Sequence, residues 1–263
     1  MVPKHEGEST KKNKPEESLD VYKKPVRRPK KGPRKACKTG RSKKLSQSGS
    51  GLAVREAIRE WLLYAKANGY SLVTGKRKFD RDIDFVNTLI EEEKSLYEFC
   101  RFKGIGSSEN LSALLSGPVT REGFEHRVFY HLEDDPPRVT KITFPGKYGR
   151  IEHTPFLYLE RLALSNELFP VLDVRLEDCV RANGDKYSVI SSMRAFTGPP
   201  PTQQEIDDFL TSHGFAMISE PSLTIDYTNK ELGINLRDCH PRNWVKAEAG
   251  LLIPIDIVPE LVV

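Results

Sequence analysis

Several features that would assign this chain to a common protein class are absent from its sequence. The four cysteines lie far apart and form no Cys-x-x-Cys pair, at Cys37, Cys100, Cys179 and Cys239. Neither a zinc-binding module nor a disulfide framework is therefore indicated, and we expect a reducing, cytoplasmic location. The sequence also has no Gly-x-Ser-x-Gly, Walker-type Gly-Lys-Ser/Thr or His-Glu-x-x-His motif. These absences disfavour hydrolases and P-loop enzymes.

Long apolar segments are missing as well. No run of eighteen or more apolar residues occurs, so we expect no membrane-spanning helix and no membrane partner. The charges near the N-terminus are not followed by the apolar core of a secretory signal.

Charge is divided unevenly along the chain. Residues 1–50 contain 16 Lys or Arg and 5 Asp or Glu, a net charge of +11, whereas the remainder contains 25 and 32, a net charge of −7. The first segment has almost no large apolar side chains, so burial cannot offset the entropy of ordering it, and we predict a disordered basic tail. Its densest stretch, residues 23–31, could bind nucleic acid through counterion release, and a solubilising linker is the alternative.

Residues 51–118 show helical periodicity. One apolar stripe covers residues 54–65 and is ended by Gly69, and a second covers residues 79–102. Two helices of this kind must bury their apolar faces, and we expect them to pack on each other and on a following sheet. The acidic run at residues 91–93 would repel phosphate, so a structural extension is favoured over a DNA-binding helix pair.

The most informative pattern lies near the C-terminus, where Asn243 follows Asp238 by five residues and Asp256 follows Asn243 by thirteen. Residues 244–246 and 251–253 are predicted to form two short strands joined by a tight turn. Because a hairpin returns its two ends to the same place, Asn243 and Asp256 should lie side by side. Carboxylate and carboxamide oxygens suit Mg²⁺, and a carboxylate can orient an acceptor hydroxyl, so the pattern indicates phosphoryl transfer.

The same segment resembles a known catalytic loop. From Arg237 to Asn243 the pattern Arg-Asp-x-x-Pro-x-Asn resembles the catalytic loop of the protein-kinase-like superfamily. Its second half, which starts at His240, resembles the aminoglycoside and choline phosphotransferases. The chain also resembles small bacterial and phage kinase-like domains of the polyvalent-protein-kinase type.

This resemblance implies a role for each polar residue of the pattern. Asp238 would orient the acceptor hydroxyl, Asn243 and Asp256 would bind Mg²⁺, and ATP would donate the phosphoryl group. Ile257 and Val258 stand where the family's Asp-Phe-Gly motif has Phe and Gly.

The resemblance also requires an upstream sheet over the nucleotide, with a Lys on one strand and a Glu on the next helix. Two predicted strands flank an acidic turn that contains prolines, and Lys141 lies on the second of them, residues 138–144. Its ammonium would bridge the nucleotide phosphates. Residues 155–169 have helical periodicity. On this helix Glu160 is the expected partner of Lys141, and Glu167 is the alternative.

The turn that would cover the phosphates has a single glycine, Gly123, where protein kinases have three. One glycine permits a tight turn between two strands, and the resemblance assigns Gly123 to nucleotide binding. Downstream, residues 186–193 are a predicted strand and residues 194–201 a hinge in contact with adenine. Residues 203–213 are a predicted helix, capped by Thr202.

These patterns predict an α+β protein with a minimal kinase-like fold, in which an antiparallel N-lobe sheet with one packed helix precedes a truncated C-lobe. We expect a disordered basic tail (residues 1–50), a helical extension (51–118) and a kinase-like domain (119–263), with lobes of about 119–193 and 194–263. The predicted function is ATP- and Mg²⁺-dependent phosphotransfer to an unidentified hydroxyl acceptor. The alternatives are an inactive pseudokinase that binds a nucleotide or a partner, and a nucleic-acid-associated protein that acts through its tail.

Overall fold

The computed structural model describes residues 51–72, 82–106, 121–123, 125–149, 154–182, 184–218 and 224–262. Within these residues the protein has four α-helices and three antiparallel sheets. This arrangement confirms the predicted α+β fold class. The predicted basic tail, residues 1–50, lies outside the described residues, and its disorder and its binding to nucleic acid stay predictions.

A six-stranded antiparallel sheet forms the larger part of the fold. Its strands, in spatial order, are β1 (Leu52–Ala53), β5 (Arg175–Arg181), β6 (Tyr187–Arg194), β4 (Arg138–Thr143), β3 (His126–His131) and β2 (Arg121–Glu122). Strands β3 and β4 are the two strands predicted on either side of the acidic turn, and β6 lies within one residue of the strand predicted at 186–193. Lys141 is on the interior strand β4, opposite Val128 of β3 and Ser191 of β6.

Three helices pack on this sheet and on one another. They are α1 (Val54–Ala67), α2 (Asp82–Lys103) and α3 (Pro155–Leu168). Their apolar faces meet around Trp61, Phe99 and Phe156, whose exposed fractions do not exceed 1%. Burial of each such side chain contributes about 1.5–3 kcal/mol. The two helices of the predicted extension thus bury the stripe of α1 and the C-terminal half of the stripe of α2, whereas Ile83, Val86 and Ile90 in the first half of α2 are exposed.

A carboxylate of α2 supports the start of α3. Glu92 is fully buried and accepts a hydrogen bond from the backbone N–H of Phe156, at 3.0 Å, in the first turn of α3. A carboxylate in this place satisfies a free N–H and is favoured by the helix dipole. Glu93 is also buried and accepts a hydrogen bond from the Tyr148 hydroxyl at 2.7 Å. Through Glu92 and Glu93, the acidic run therefore attaches α2 to the start of α3 and to Tyr148.

The C-terminal part has a helix, a four-stranded sheet and a hairpin. The elements are α4 (Gln203–Ser212), β7 (Ala216–Met217), β8 (Tyr227–Asn229), β9 (Ile234–Arg237), β10 (Trp244–Lys246), β11 (Leu252–Pro254) and β12 (Val258–Leu261). The sheet order is β12-β9-β8-β7, and β10 and β11 form the hairpin. Thr202 and Glu205 form a capping box at the start of α4, as the sequence predicts for Thr202. In the described part of the chain no helix has both the length and the apolar character needed to cross a membrane.

Candidate active site

The hairpin brings Asn243 and Asp256 together. Residues 244–246 pair with residues 252–254, so the residues just outside the two strands are neighbours. The carbonyl oxygen of Asn243 accepts hydrogen bonds from the backbone N–H groups of Ile255, at 2.8 Å, and of Asp256, at 3.3 Å. These bonds confirm the backbone proximity predicted from the spacing.

Asp238 follows β9 and has a left-handed backbone conformation, with φ of 58°. This conformation is uncommon for a residue other than glycine and costs about 1–3 kcal/mol unless neighbours support it. The backbone N–H of Asp238 donates to Oδ1 of Asp226 at 3.1 Å, and that of Cys239 donates to the carbonyl oxygen of Ile225 at 2.8 Å. The segment before β8 therefore holds the loop in this conformation.

The same Asp226 belongs to a buried charge network. Its side chain is 3% exposed and accepts a hydrogen bond from Arg237 Nη1 at 3.1 Å, while Arg237 Nε donates to Glu260 Oε2 at 2.9 Å. Arg237 thus joins Asp226 to strand β12. The sequence interpretation did not include Asp226, because its role depends on the pairing of β8 with β9 and leaves no local pattern.

Asn243 fixes the side chain of Asp238. Its amide nitrogen, Nδ2, donates to the carbonyl oxygen of Asp238 at 2.7 Å and to Oδ2 at 2.9 Å. Both amide hydrogens are used in this way, so the carboxamide oxygen is what Asn243 can offer to a ligand. The other carboxylate oxygen of Asp238, Oδ1, is enclosed and has no hydrogen-bond partner among the described residues. His240 Nε2 and Arg242 Nη2 lie 3.6 and 3.7 Å from it.

Lys141 reaches from the large sheet to the segment that follows the hairpin. Its ammonium donates to Oδ1 of Asp256 and to the carbonyl oxygen of Ile255, both at 2.9 Å. The Lys141 charge is the main cause that lowers the pKa of Asp256 from 3.8 to about 2. The Asp256 side chain is 60% exposed, so it remains accessible from the solvent.

A narrow cleft with a cavity volume of about 40 Å³ lies between the large sheet, α3 and the segment after β11. Lys141 and Asp256 line it together with Arg161 of α3. Its apolar walls include Leu162, Leu172, Val174, Met193 and Ile257. An apolar cleft with a few convergent charged groups is typical of a small-molecule site.

Comparison with known families agrees with this geometry. Residues 90–262 match the family model described as Serine/Threonine/Tyrosine Kinase found in polyvalent proteins. The chain belongs to this family. Its fold is therefore a protein-kinase-like domain, as the resemblance implied, and the match covers the candidate residues from Gly123 to Asp256. No curated protein and no solved structure gives a significant match.

Kinase-like domains generally use ATP with Mg²⁺, so the donor atoms at this site decide whether the ion fits. No three or more His, Cys, Asp or Glu side chains are grouped as metal ligands within the described ranges. Mg²⁺ needs fewer protein ligands, because it keeps several water molecules and is also bound by phosphates. The carboxamide oxygen of Asn243 and the carboxylate of Asp256 are hard oxygen ligands on neighbouring backbone positions. These two residues fit the ion.

Glu160, the expected partner of Lys141 in this kinase-like domain, lies elsewhere. It is half-buried in a groove that Arg55 also lines. The pKa of Glu160 is raised there, because burial raises it more than the Arg55 charge lowers it. The alternative, Glu167, forms an exposed ion pair with Arg55. Consecutive helical residues point about 100° apart, and Arg161, one residue later, is the one that faces the cleft. The expected pairing of Lys141 with α3 is therefore corrected to a pairing with Asp256.

His126 is buried in the same cleft. Its Nε2 lies 3.0 Å from the hydroxyl of Tyr158. Burial, followed by the charges of Lys141 and Arg161, lowers the pKa of His126 to about 3. The imidazole is therefore neutral near pH 7, and Lys141 and Arg161 are the cations among the described lining residues.

Gly123 lies in the turn between β2 and β3. Its backbone N–H donates to the carbonyl oxygen of His126 at 3.0 Å, which closes a tight turn of the predicted kind. A Cβ atom at this position would meet the His126 oxygen at 3.8 Å, an ordinary contact. The turn therefore does not require glycine on steric grounds. Phe124 lies outside the described residues.

The predicted hinge packs on the hairpin. The backbone N–H of Lys246 donates to the carbonyl oxygen of Pro199 at 2.9 Å. Gly198 approaches so closely that a Cβ atom would lie 2.2 Å from the Lys246 carbonyl oxygen. This segment is thus fixed against β10, and its contact with adenine stays a prediction.

Proposed function

We propose that this kinase-like domain transfers the terminal phosphoryl group of ATP to a hydroxyl acceptor with the help of Mg²⁺. One observation carries the proposal. Lys141, Asp238, Asn243 and Asp256 come from separate parts of the chain and are joined by hydrogen bonds into one cluster. Each of the four has the chemistry that phosphoryl transfer needs at its place.

Lys141 supports the binding of the nucleotide. A lysine ammonium has three donors, and Asp256 and Ile255 accept two hydrogen bonds from this one. The remaining donor is available to a phosphate oxygen without loss of the existing contacts. A compact ammonium is a common ligand for phosphate.

Asn243 and Asp256 are the residues that would hold the metal. Mg²⁺ bound there would offset negative charge on the phosphates. Since the pKa of Asp256 is about 2, its carboxylate is ionised throughout the physiological range. Asn243 commits its NH₂ group to Asp238, which leaves its oxygen for the ion.

Asp238 would orient the acceptor. Its Oδ2 is fixed by Asn243, whereas the enclosed Oδ1 has no hydrogen-bond partner among the described residues. It would accept a bond from a hydroxyl once the nearby side chains of His240 and Arg242 give access to it. As the acceptor oxygen bonds to the γ-phosphorus and the bond to ADP breaks, the hydroxyl proton passes to this carboxylate. The bond from the Asp238 N–H to Asp226 keeps the carboxylate in place.

The full-length protein tests the proposal in two assays. Thermal shift with ATP, with and without Mg²⁺, measures nucleotide binding, and release of ADP with labelled product measures transfer. We expect Asp238→Asn to keep ATP binding and to lose at least about a hundredfold in turnover. Asp256→Asn should abolish Mg²⁺-dependent turnover. Asp208→Asn is the matched control, because Asp208 is exposed on α4 and bonds only to Gln204 among its recorded contacts.

An unaltered protein that is neither stabilised by ATP nor able to release ADP contradicts the proposal. Turnover that survives Asp238→Asn unchanged would remove Asp238 from the mechanism.

A nucleotide-binding module without transfer is the second candidate, and one observation favours it. Among the described residues, Lys141 forms hydrogen bonds with Asp256 and Ile255. Helix α3 places Arg161 in the cleft, where the resemblance required a carboxylate. This candidate predicts stabilisation by ATP, with no ADP release and no labelled product.

A further inference from the structure

Helix α3 presents a buried cation to the candidate site. Arg161 is 7% exposed and lines the same cleft as Lys141 and Asp256. A buried charge is costly unless a partner of opposite sign accompanies it. The partner is Glu125, whose carboxylate forms an ion pair with Arg161.

This ion pair is bidentate. Nη2 of Arg161 bonds to Oε1 of Glu125, and Nη1 lies 3.5 Å from Oε2. A guanidinium fork that meets both oxygens of a carboxylate fixes orientation as well as charge. The guanidinium also packs over the ring of Tyr158, 5.0 Å from its centroid. Arg161 is thus immobilised from two sides and can hold Glu125 in a defined place.

Glu125 belongs to the turn between β2 and β3. The turn includes Gly123, whose N–H donates to the carbonyl oxygen of His126, and the carbonyl oxygen of Glu125 accepts a bond from the Phe144 N–H, both at 3.0 Å. The family resemblance assigns this turn to the nucleotide phosphates. The ion pair of Glu125 with Arg161 therefore links the turn to a residue of α3 that lines the cleft.

We propose that Arg161 and Glu125 are positioning residues that hold the β2–β3 turn on α3 and so set the affinity for the nucleotide phosphates. The inference rests on the proposed function. In this arrangement Arg161 joins α3 to the β2–β3 turn, and Lys141 pairs with Asp256. The nearby charges form two opposite pairs, Lys141 with Asp256 and Arg161 with Glu125.

The first test is amide hydrogen exchange on the full-length protein without nucleotide. We compare the unaltered protein with Glu125→Gln, Arg161→Gln and the double variant. Exchange at the amides of Gly123 and Phe144 should accelerate in all three variants, because the turn has lost its anchor. Unchanged exchange at these amides overturns the inference, whether or not the protein binds ATP.

Arg55→Gln is the matched control for this experiment. The Arg55 pair with Glu167 also involves α3, but its side chains are 57% and 51% exposed. Exchange at the turn should be the same in this variant as in the unaltered protein. Acceleration in the control would show a general loosening of α3 and would count against a specific link.

The second test is titration with ATP and Mg²⁺. We expect the Kd to rise about tenfold in each single variant and no further in the double variant, because both changes remove the same interaction. Arg161→Lys keeps the charge and loses the fork, so it should recover only part of the affinity. Variants that bind ATP as tightly as the unaltered protein overturn the inference and leave the proposed function standing.

Two other outcomes are distinct. Tighter ATP binding by Glu125→Gln would show that the released Arg161 contacts phosphate directly, which overturns its positioning role. Absence of ATP binding in the unaltered protein is a failure of the proposed function itself, and it also removes the link between the turn and affinity.

Discussion

The two walls of the candidate site are held by different kinds of interaction. The C-terminal wall (residues 225–226, 238–243 and 255–256, of which 255 and 256 line the cleft) is held mainly through backbone N–H and C=O groups. The sheet wall is named for Lys141 on β4 and also includes Glu125 and the adjacent Arg161 of α3; it is held by two ion pairs between side chains distant in sequence, Lys141 with Asp256 and Arg161 with Glu125. Backbone bonds fix the groups proposed for metal and acceptor, whereas the groups proposed for the nucleotide depend on charge. The C-terminal wall should therefore tolerate changes of pH and of single side chains better than the sheet wall, except at Asp226 and Asp256, whose carboxylates form its ion pairs with Arg237 and Lys141.

Asp226 is one of the two exceptions in the C-terminal wall, and its replacement should have the largest effect. Asp226→Ala removes the acceptor of the Asp238 N–H and leaves Arg237 without one of its two carboxylates. Loss of one partner from a buried pair is strongly destabilising, so we expect a loss of about 3 kcal/mol in the free energy of unfolding. Urea denaturation measures this value, and Asp208→Ala is the control. A loss no larger than that of the control would show that the backbone bonds suffice.

Gly198 tests how firmly the hinge is fixed to the hairpin. In Gly198→Ala the new Cβ atom would lie 2.2 Å from the carbonyl oxygen of Lys246, so the hinge or β10 must move. We expect a loss of about 1–3 kcal/mol in the free energy of unfolding. Gly184→Ala is a useful contrast, because φ is positive at both glycines, 157° at Gly198 and 76° at Gly184, but a Cβ atom at Gly184 would meet nothing within 4 Å. Equal losses in the two variants would argue against a close hinge contact.

The ion pair of Lys141 with Asp256, which joins the two walls, should respond to acid. Because Lys141 lowers the pKa of Asp256 from 3.8 to about 2, the folded state binds its proton less readily than the unfolded chain. The resulting stabilisation is present above pH 3.8 and is lost as the pH falls towards 2. In Lys141→Met the pKa of Asp256 should return towards its ordinary value, and this part of the acid dependence should disappear. NMR titration of the Asp256 carboxyl group measures the change, and a pKa that stays near 2 would assign the shift to other groups.

The difference between the walls also explains what the sequence could predict. Asn243 and Asp256 are joined by one short hairpin, so strand propensity and spacing were enough to bring their backbones together. The cap at Thr202 is likewise local. Glu125 and Asp226 act through partners 36 and 11 or more residues away, and no short pattern indicates such contacts. Their roles emerge only once the sheets are assembled.

Helix α3 shows a limit of periodicity. The apolar pattern predicted the helix and its extent, but it did not separate Glu160 from Arg161, which point about 100° apart on the helix. The family resemblance assigned the acidic Glu160 to the site as the partner of Lys141, and the structure places the basic Arg161 in the cleft instead. Strand β5 was missed for a related reason. Its buried Asp178, paired with Arg101 of α2, breaks the apolar alternation that marks a strand.

Gly123 should give the smallest effect and sharpens the comparison most directly. Gly123→Ala should be tolerated if the sheet wall depends on the ion pair of Glu125 with Arg161 and not on the backbone of a glycine. The new Cβ atom would make only one ordinary contact, 3.8 Å from the His126 carbonyl oxygen. We expect a change of less than about 1 kcal/mol in the free energy of unfolding and an unchanged Kd for ATP. Glu125→Gln, two residues away, is the contrasting variant. A large loss of ATP affinity in Gly123→Ala would mean that backbone at the turn approaches the phosphates, and both walls would then act through their backbone.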